Sequence, residues 1–170
     1  MQLWLLGGYF FGEGVPGQTL NEVWNSSDGK NWSKITASAP WSPRCPNSLV
    51  FNSKIWIFGG KSDNWIGDIW YSANGTSWTK AKSSTPWDGE KYKPTFAVFN
   101  GKLSVMYSVT NSTAWYSSDS VTWKECNLPG DSQEFAATRF NSRIWLSGGA
   151  YRSGEYHFTE NEVYSIFQNF

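Results

Sequence analysis

The sequence predicts an all-β protein assembled from repeated antiparallel sheets. Tryptophans recur at a fixed spacing, and short runs of β-branched and aromatic residues alternate with turn-forming clusters. No stretch shows the apolar period of a capped amphipathic helix. Of the 170 residues, 12 are tryptophan and 16 are glycine. We expect a chain of this length to form one domain.

The first repeated motif contains two tryptophans separated by a turn. It occurs at residues 21–32, 67–78 and 112–123, so that equivalent tryptophans lie 46 and then 45 residues apart. Its first half, as in Glu22-Val23-Trp24, is typical of a strand. The cluster that follows, as in Ser27-Asp28-Gly29, combines a side chain that can bond its own backbone with a residue that tolerates positive φ. Each copy is therefore predicted to be a hairpin.

The second repeated motif is a pair of strands joined by a tight turn. It occurs at residues 50–60, 98–107 and 139–149, and the chain opens within a further copy at residues 3–8. The turn of the first complete copy is Phe51-Asn52-Ser53-Lys54. Its second strand ends in Gly59-Gly60, which predicts a close backbone approach or a positive φ that a larger residue would not tolerate.

Each period of the repeat therefore holds four strands. For the complete second unit these are expected at about 45–51, 53–59, 67–72 and 77–82. Four strands in a repeat of this length describe one blade of a β-propeller. The predicted fold is a propeller segment of fourteen strands, in about four partly incomplete four-stranded blades. The blade segments lie at about 1–36, 45–82, 92–127 and 134–170.

The most complete repeat resembles a bacterial kelch repeat. The resemblance rests on Pro43-Arg44, on the double glycine Gly59-Gly60, on Asp68-Ile69-Trp70 and on Trp78. It extends over nearly the whole chain and is weaker in the third unit, where Tyr107-Ser108 replaces the double glycine. The turns are also similar to shortened Asp-boxes, which are structural hairpins in sialidases and other propellers. The resemblance implies a kelch-like β-propeller.

Composition excludes several partners and cofactors. Basic and acidic residues number 14 each, which argues against nucleic-acid or anionic-membrane surfaces. The single histidine, His157, predicts no metal site, and we expect no cofactor. Cys45 and Cys126 are expected to be reduced and mostly buried. No secretory signal is evident, so a cytoplasmic location is favoured while the compartment otherwise stays open.

Long connections are expected on one face of the propeller. They comprise residues 9–20, 37–44, 61–67, 82–93 and 151–160. Irregular loops on a rigid scaffold are where recognition usually resides. The leading hypothesis is a non-enzymatic protein that binds a protein or a glycan through this face. A glycoside-acting hydrolase or lyase with a site at the channel mouth is the alternative, and a chain with no selected ligand is a third possibility.

Candidate ligand-binding residues fall into two groups. Arg44, Tyr92 and Gln133 are equivalent in the repeat, at a position that lies near the channel mouth in kelch-like blades. Trp41, Trp65 and Trp87 are aromatic residues of the connections, where aromatic side chains often dominate recognition. For Trp41 and Trp87 we favour packing at the rim between blades, whereas Trp65 is left open. No catalytic residue is assigned.

The strand count also predicts self-association. Fourteen strands cannot close a ring of six or seven four-stranded blades, and an open ring exposes strand edges and an apolar flank. Either the chain is a segment of a longer propeller, or identical chains assemble to bury these flanks. Two copies supply the strands of seven four-stranded blades or of eight partly filled ones. Of the two alternatives we expect the second, with a second copy of the chain as partner in a homodimer that completes a propeller.

Overall fold

The computed structural model describes residues 2–87, 94–107, 113–127, 136–141, 143–147, 150–153, 156–159 and 163–166. Within these residues the protein is all-β, and its sixteen strands form five antiparallel sheets. The predicted all-β class is confirmed. The described part of the chain contains no helix long and apolar enough to cross a membrane. Contacts divide the chain into two compact units, Met1–Glu90 and Lys91–Phe170.

The first unit contains two sheets. Sheet 1 comprises β1 (Leu3–Gly12), β2 (Val15–Ser26) and β3 (Ser33–Thr36), paired in that order. Sheet 2 comprises β4 (Cys45–Phe51), β5 (Lys54–Lys61), β6 (Trp65–Ser72) and β7 (Thr79–Lys82), also in chain order. The four strands predicted for the second repeat are confirmed, and β5 and β6 each extend two residues further towards their connection than expected.

The second unit contains three sheets. A four-stranded sheet comprises β8 (Thr95–Phe99), β9 (Lys102–Tyr107), β10 (Thr113–Ser117) and β11 (Lys124–Asn127). A three-stranded sheet comprises β12 (Ala136–Phe140), β13 (Arg143–Ser147) and β16 (Val163–Ile166). Between β13 and β16, the hairpin of β14 (Ala150–Ser153) and β15 (Tyr156–Thr159) forms a sheet of its own.

Two segments expected to be irregular loops contain paired strands. In residues 9–20, β1 and β2 continue their pairing beyond the body of sheet 1, with Tyr9 opposite Thr19 and Phe10 opposite Gln18. In residues 151–160, the pairing of β14 with β15 adds two strands to the fourteen predicted. Pairing satisfies the backbone donors and acceptors that a long connection would otherwise expose. The sequence prediction assigned each connection to one face of the propeller from the order of the strands, and this reasoning does not detect pairing within a connection.

The turns of the second motif have the geometry that tight hairpins require. Asn52 and Ser53 both have positive φ, at 49° and 55°, and Asn100 and Gly101 have φ of 48° and 68°. Positive φ at both central residues defines the type I′ turn, whose twist matches that of the flanking strands. The prediction of tight hairpins at these positions is confirmed.

The Asp-box-like turns repeat one hydrogen-bond pattern. In the first copy, the Ser26 hydroxyl oxygen accepts from the backbone N–H groups of Asp28 and Gly29, at 3.3 and 2.8 Å. The Asp28 carboxylate accepts from the N–H groups of Lys30 and Asn31, at 2.8 Å each. Corresponding bonds occur in the copies at Ser72–Ser77 and Ser117–Thr122. The turn is thus held by side chains close in sequence.

The core of the first unit lies between its two sheets. Val23 of sheet 1 and Ile57 of sheet 2 are fully buried in one cluster, together with Trp41 at 1% exposure. Trp70 and Trp78, two of the repeated tryptophans, pack against this cluster. Trp32, the equivalent of Trp78 in sheet 1, is 39% exposed. Trp78 packs edge-on against Trp41.

Candidate functional site

A cavity of about 560 Å³ lies in the first unit, between sheet 1 and sheet 2, at the end where β1 joins β2 and β5 joins β6. We call this cavity the cleft. Its lining consists of Tyr9, Gly17, Gln18, Thr19, Ser42, Pro43, Cys45, Lys61, Ser62, Asp63 and Ile66. The volume is within the range of sites that bind small molecules, roughly 300–1,000 Å³.

The two walls of the cleft belong to two hairpins. Tyr9 and Thr19 are opposite each other in the β1–β2 hairpin, so that both reach the same wall. The other wall is the β5–β6 turn, in which the Lys61 Nζ atom donates to the Asp63 carbonyl at 2.9 Å. The hydroxyls of Thr19 and Ser62 lie 3.1 Å apart and form a hydrogen bond across the gap. This bond joins the walls, and both residues belong to the lining.

The floor of the cleft is the segment that leads from sheet 1 into sheet 2. Its backbone is joined to sheet 1 at two points: Arg44 N donates to Leu20 O, and Gly8 N donates to Arg44 O, each at 2.9 Å. The neighbouring Ser42, Pro43 and Cys45 line the cleft. The position of the floor is therefore determined by the backbone of Arg44.

The double glycines permit this close approach, as the sequence predicted. A Cβ atom on Gly7 would lie 2.5 Å from the Arg44 carbonyl oxygen, and one on Gly60 would lie 2.6 Å from the Cys45 carbonyl oxygen. The φ angles of Gly7 and Gly60 are also positive, at 57° and 131°. Any larger residue would displace the floor of the cleft.

The side chain of Arg44 lies beneath the floor and is 0% exposed. Its guanidinium donates to the carbonyl oxygens of Ser42 and Gly59, at 2.8 and 3.4 Å, and contacts the Asp68 carboxylate. We predicted Arg44 as a ligand-binding residue at the channel mouth. The structure instead places its charge among protein acceptors, where it supports the cleft without lining it.

Asp68 has two partners besides Arg44, one through a hydrogen bond and one through an ion pair. The Trp70 indole N–H donates to its carboxylate at 2.8 Å, and the Lys80 ammonium lies 3.6 Å from it. Burial acts to raise the pKa of Asp68, but the hydrogen bonds from Arg44 and Trp70 and the charges of Arg44 and Lys80 outweigh it. The pKa is held below its usual value. Asp68 is therefore the ionised partner of Arg44.

The remaining predicted residues occupy different environments. Trp41 and Trp87 are 1% and 6% exposed. This low exposure agrees with the packing role that we favoured for both residues. Trp65 is half-buried beside the cleft, and the Lys61 ammonium lies 5.3 Å from its ring centroid. Tyr92 and Gln133 lie outside the described residues. Of the predicted set, Trp65 and Arg44 are thus next to the cleft.

Most of the lining was not predicted residue by residue. Tyr9, Thr19, Ser62 and Asp63 lie in connections that sequence reasoning assigned to the recognition face, without being named as candidates. Loop parity was the available signal, because it placed residues 9–20 and 61–67 at the same end of neighbouring sheets. It could not identify which side chains point inward.

The expectation that both cysteines are mostly buried is wrong for Cys45. Both are free, as predicted, but Cys45 is exposed in the cleft instead of buried. Cys126 is half-buried, and its burial, with the nearby charge of Glu125, raises the pKa of its thiol. Cys45 is therefore the more accessible thiol.

The chemistry of the cleft suits binding. The described lining residues include Tyr9, the hydroxyl-bearing Thr19, Ser42 and Ser62, one cation, Lys61, and one carboxylate, Asp63. Glycoside hydrolysis normally needs two carboxyl groups on either side of the scissile bond. No group of three or more metal-ligating side chains is present in the part of the chain that the structure describes.

No family model and no curated protein matches the chain. Among the solved structures, 129 chains match. One of these, described as "Structure of YjhT", superposes with a TM-score of 0.69 at 16% sequence identity, over 88% of this chain and 56% of that one. The chain therefore shares its fold with that protein and spans 56% of its length.

Proposed function

We propose that this chain forms part of a kelch-like β-propeller, without catalytic activity, and that the cleft binds a glycan. The observation that carries the proposal is the lining of the cleft. Three segments contribute the hydroxyl-bearing residues Thr19, Ser42 and Ser62 to the same lining as Tyr9, and the Thr19 and Ser62 hydroxyls are hydrogen-bonded to each other. Such a lining matches a ligand with many hydroxyl groups and one or more apolar ring faces.

The propeller interpretation draws on packing that recurs in both units. Val23 of β2 shares a buried core with Ile57 of β5, and Ala114 of β10 shares one with Leu146 of β13. In each case an apolar residue from the first tryptophan motif of one repeat packs with the strand that follows the tight turn in the next repeat. A regular relation of this kind between successive sheets is what blades stacked around an axis require.

A glycan is favoured over a protein ligand because the lining combines hydroxyl-bearing and charged residues with apolar surface. Protein-binding hot spots are typically pockets for aromatic or arginine anchors from which water is excluded. Among the described lining residues, Pro43 and Ile66 are aliphatic, and Lys61 and Asp63 carry one charge of each sign. Hydroxyl, amide and carboxylate groups can exchange hydrogen bonds with sugar hydroxyls in pairs.

The proposed assembly is a homodimer in which a second copy covers the open flank of sheet 1. Leu3 and Leu5 of β1 are 37% and 50% exposed, whereas their repeat equivalents Ile55 and Ile57 are 5% and 0% exposed. Burying two leucines gives a favourable contribution to association. Light scattering at micromolar concentration should report twice the chain mass, and the substitution Leu5→Glu should reduce it to one. A stable wild-type monomer would contradict the homodimer.

A glycan array and a matched pair of variants test binding in the cleft. Thr19→Val combined with Ser62→Ala removes both hydroxyls that join the walls and should weaken binding of an array hit about tenfold or more. Thr79→Val makes the same chemical change on the exposed edge strand β7 and should leave binding unchanged. An array without hits would overturn the glycan proposal in favour of a protein ligand.

Two further measurements complete the test. N-Ethylmaleimide should modify Cys45 more slowly when a bound sugar fills the cleft, because this thiol lies in the lining. Prolonged incubation of the array hit with the protein, followed by mass spectrometry, should return the sugar unchanged. Cleaved or eliminated products would instead support the glycoside-acting alternative.

A further inference from the structure

The wall of the cleft continues outward as a pair of aromatic rings. Tyr9 lines the cleft, and its ring centroid lies 4.6 Å from that of Phe11, with the planes inclined at 58°. Phe11 is 82% exposed and Tyr9 is 49% exposed. The two residues are two positions apart on β1 and form one contiguous surface, which we call the aromatic platform.

A glycine on the opposite strand shapes this platform. A Cβ atom on Gly17 would lie 2.6 Å from Cε1 and 2.7 Å from Cζ of Tyr9. The ring of Tyr9 therefore lies across the bare backbone of β2, where any other residue would push it away. The absence of a side chain at Gly17 allows the ring to lie along the hairpin between the cleft and Phe11.

The aromatic platform and the adjoining cleft together carry no net positive charge. The first 29 residues contain no lysine or arginine, and Glu13 is the charged residue at the hairpin tip. In the adjoining cleft, Lys61 and Asp63 contribute one charge of each sign. An anionic ligand or an anionic membrane would therefore gain no net attraction here. An exposed aromatic surface of this kind, continuous with a polar cavity, fits a neutral ligand with apolar ring faces.

We infer that the cleft and the aromatic platform together form an extended site for a neutral oligosaccharide, so that the ligand contains more than one sugar unit. This inference rests on the proposed function. The cavity of about 560 Å³ is in the size class that holds drug-sized ligands, which are larger than one sugar ring. One end of the sugar chain occupies the cleft near Thr19 and Ser62, and a further unit stacks on Tyr9 and Phe11.

A length series tests the inference. Isothermal titration calorimetry compares glucose, cellobiose and cellotetraose, and in parallel N-acetylglucosamine with its dimer and tetramer. In the series that binds, affinity should increase at least tenfold from the single sugar to the tetramer. Phe11→Ala should remove most of that increase while leaving the affinity of the single sugar unchanged. The exposure of Phe11 means that this variant should keep its melting temperature.

Two further variants distinguish the contribution of the aromatic platform to binding from a general effect of substitution. Phe140→Ala removes another exposed phenylalanine, 61% exposed in the second unit, and should leave the length dependence unchanged. Gly17→Ala removes no contact group but displaces the Tyr9 ring, and it should weaken binding of the tetramer several-fold. Equal affinity for all lengths, or a length dependence that Phe11→Ala preserves, would overturn this inference alone. Failure of every sugar to bind would overturn the glycan proposal as well.

Discussion

The guanidinium of Arg44 contacts the carboxylate of Asp68, with Arg44 fully enclosed by protein. The same residue bonds sheet 1 through its backbone, at Gly8 and Leu20. One residue thus connects both sheets of the first unit and positions the floor of the cleft between them.

Removing one partner of this pair should destabilise the first unit strongly. Arg44→Met leaves the Asp68 carboxylate without its main partner in a largely buried environment, which should lower the free energy of unfolding by about 3–5 kcal/mol. Urea unfolding followed by tryptophan fluorescence measures the loss. Lys34→Met is the matched control, because Lys34 forms an exposed ion pair with Glu22 and should contribute less than about 1 kcal/mol. Equal effects of the two substitutions would contradict a structural role for Arg44.

Substitution of Gly60, whose backbone lies close to another segment, should cost more stability than substitution of a glycine that only has a positive φ. Gly60→Ala combines a φ of 131° with a Cβ 2.6 Å from the Cys45 carbonyl oxygen, and we expect a loss above about 3 kcal/mol. Gly14→Ala has a φ of 73° but no atom within 4 Å of its new Cβ, so about 1 kcal/mol is expected. Thermal unfolding of both variants compares them. Similar melting temperatures would show that the floor can shift to accept a methyl group.

The repeated turns depend on a buried serine hydroxyl. The Ser72 oxygen, in a residue 1% exposed, accepts from the N–H groups of Asn74 and Gly75 at 3.2 and 2.8 Å. Ser72→Ala should cost about 1–3 kcal/mol because the buried N–H of Gly75 loses its acceptor. Ser77→Ala in the same turn should change stability by less than about 0.5 kcal/mol, since Ser77 is exposed. A neutral Ser72→Ala variant would mean that water replaces the hydroxyl.

The turn at Asp119 should make stability depend on acid pH. Burial acts to raise the pKa of Asp119, but donors led by the N–H groups of Thr122 and Val121 outweigh it and lower the pKa to about 2. Since the unfolded carboxyl titrates near 3.9, the stabilisation is complete above about pH 4 and is lost as pH falls towards 2. Solvent screening at this exposed residue limits the effect to about 1 kcal/mol.

Asp119→Asn provides the corresponding control. In the equivalent turn of sheet 2, the side-chain amide oxygen of Asn74 accepts from the backbone N–H groups of Thr76 and Ser77, at 2.9 Å each. The variant should therefore keep its turn at pH 7 and lose part of the stability difference between pH 5 and pH 2.5. Urea unfolding at both pH values measures this difference. An unchanged pH dependence would exclude Asp119 as a contributor.

The two thiols should react at different rates. N-Ethylmaleimide at pH 7.5 should modify Cys45 first, because Cys45 is exposed and the pKa of the half-buried Cys126 is raised. Peptide mass spectrometry at successive times identifies the modified residue. Faster labelling of Cys126 would contradict the exposure of Cys45 and with it the geometry of the cleft floor.

Local sequence chemistry determined the strands, the tight turns and the spacing of the repeats. Asn52-Ser53 and Ser72-Ala73-Asn74-Gly75 contain, within a few residues, the groups that stabilise their own turns. The pairs of adjacent glycines likewise predicted a close backbone approach. These features could be predicted because the interactions that produce them are close in sequence.

Tertiary packing decided the site. The hydrogen bond between Thr19 and Ser62 joins residues 43 positions apart, and it exists only because the two sheets pack at that distance. The same packing encloses the charge of Arg44 and leaves Cys45 exposed, although the two residues are adjacent in sequence. Which side of a strand faces a neighbouring sheet depends on that sheet's position, and this information is absent from any short stretch of the chain.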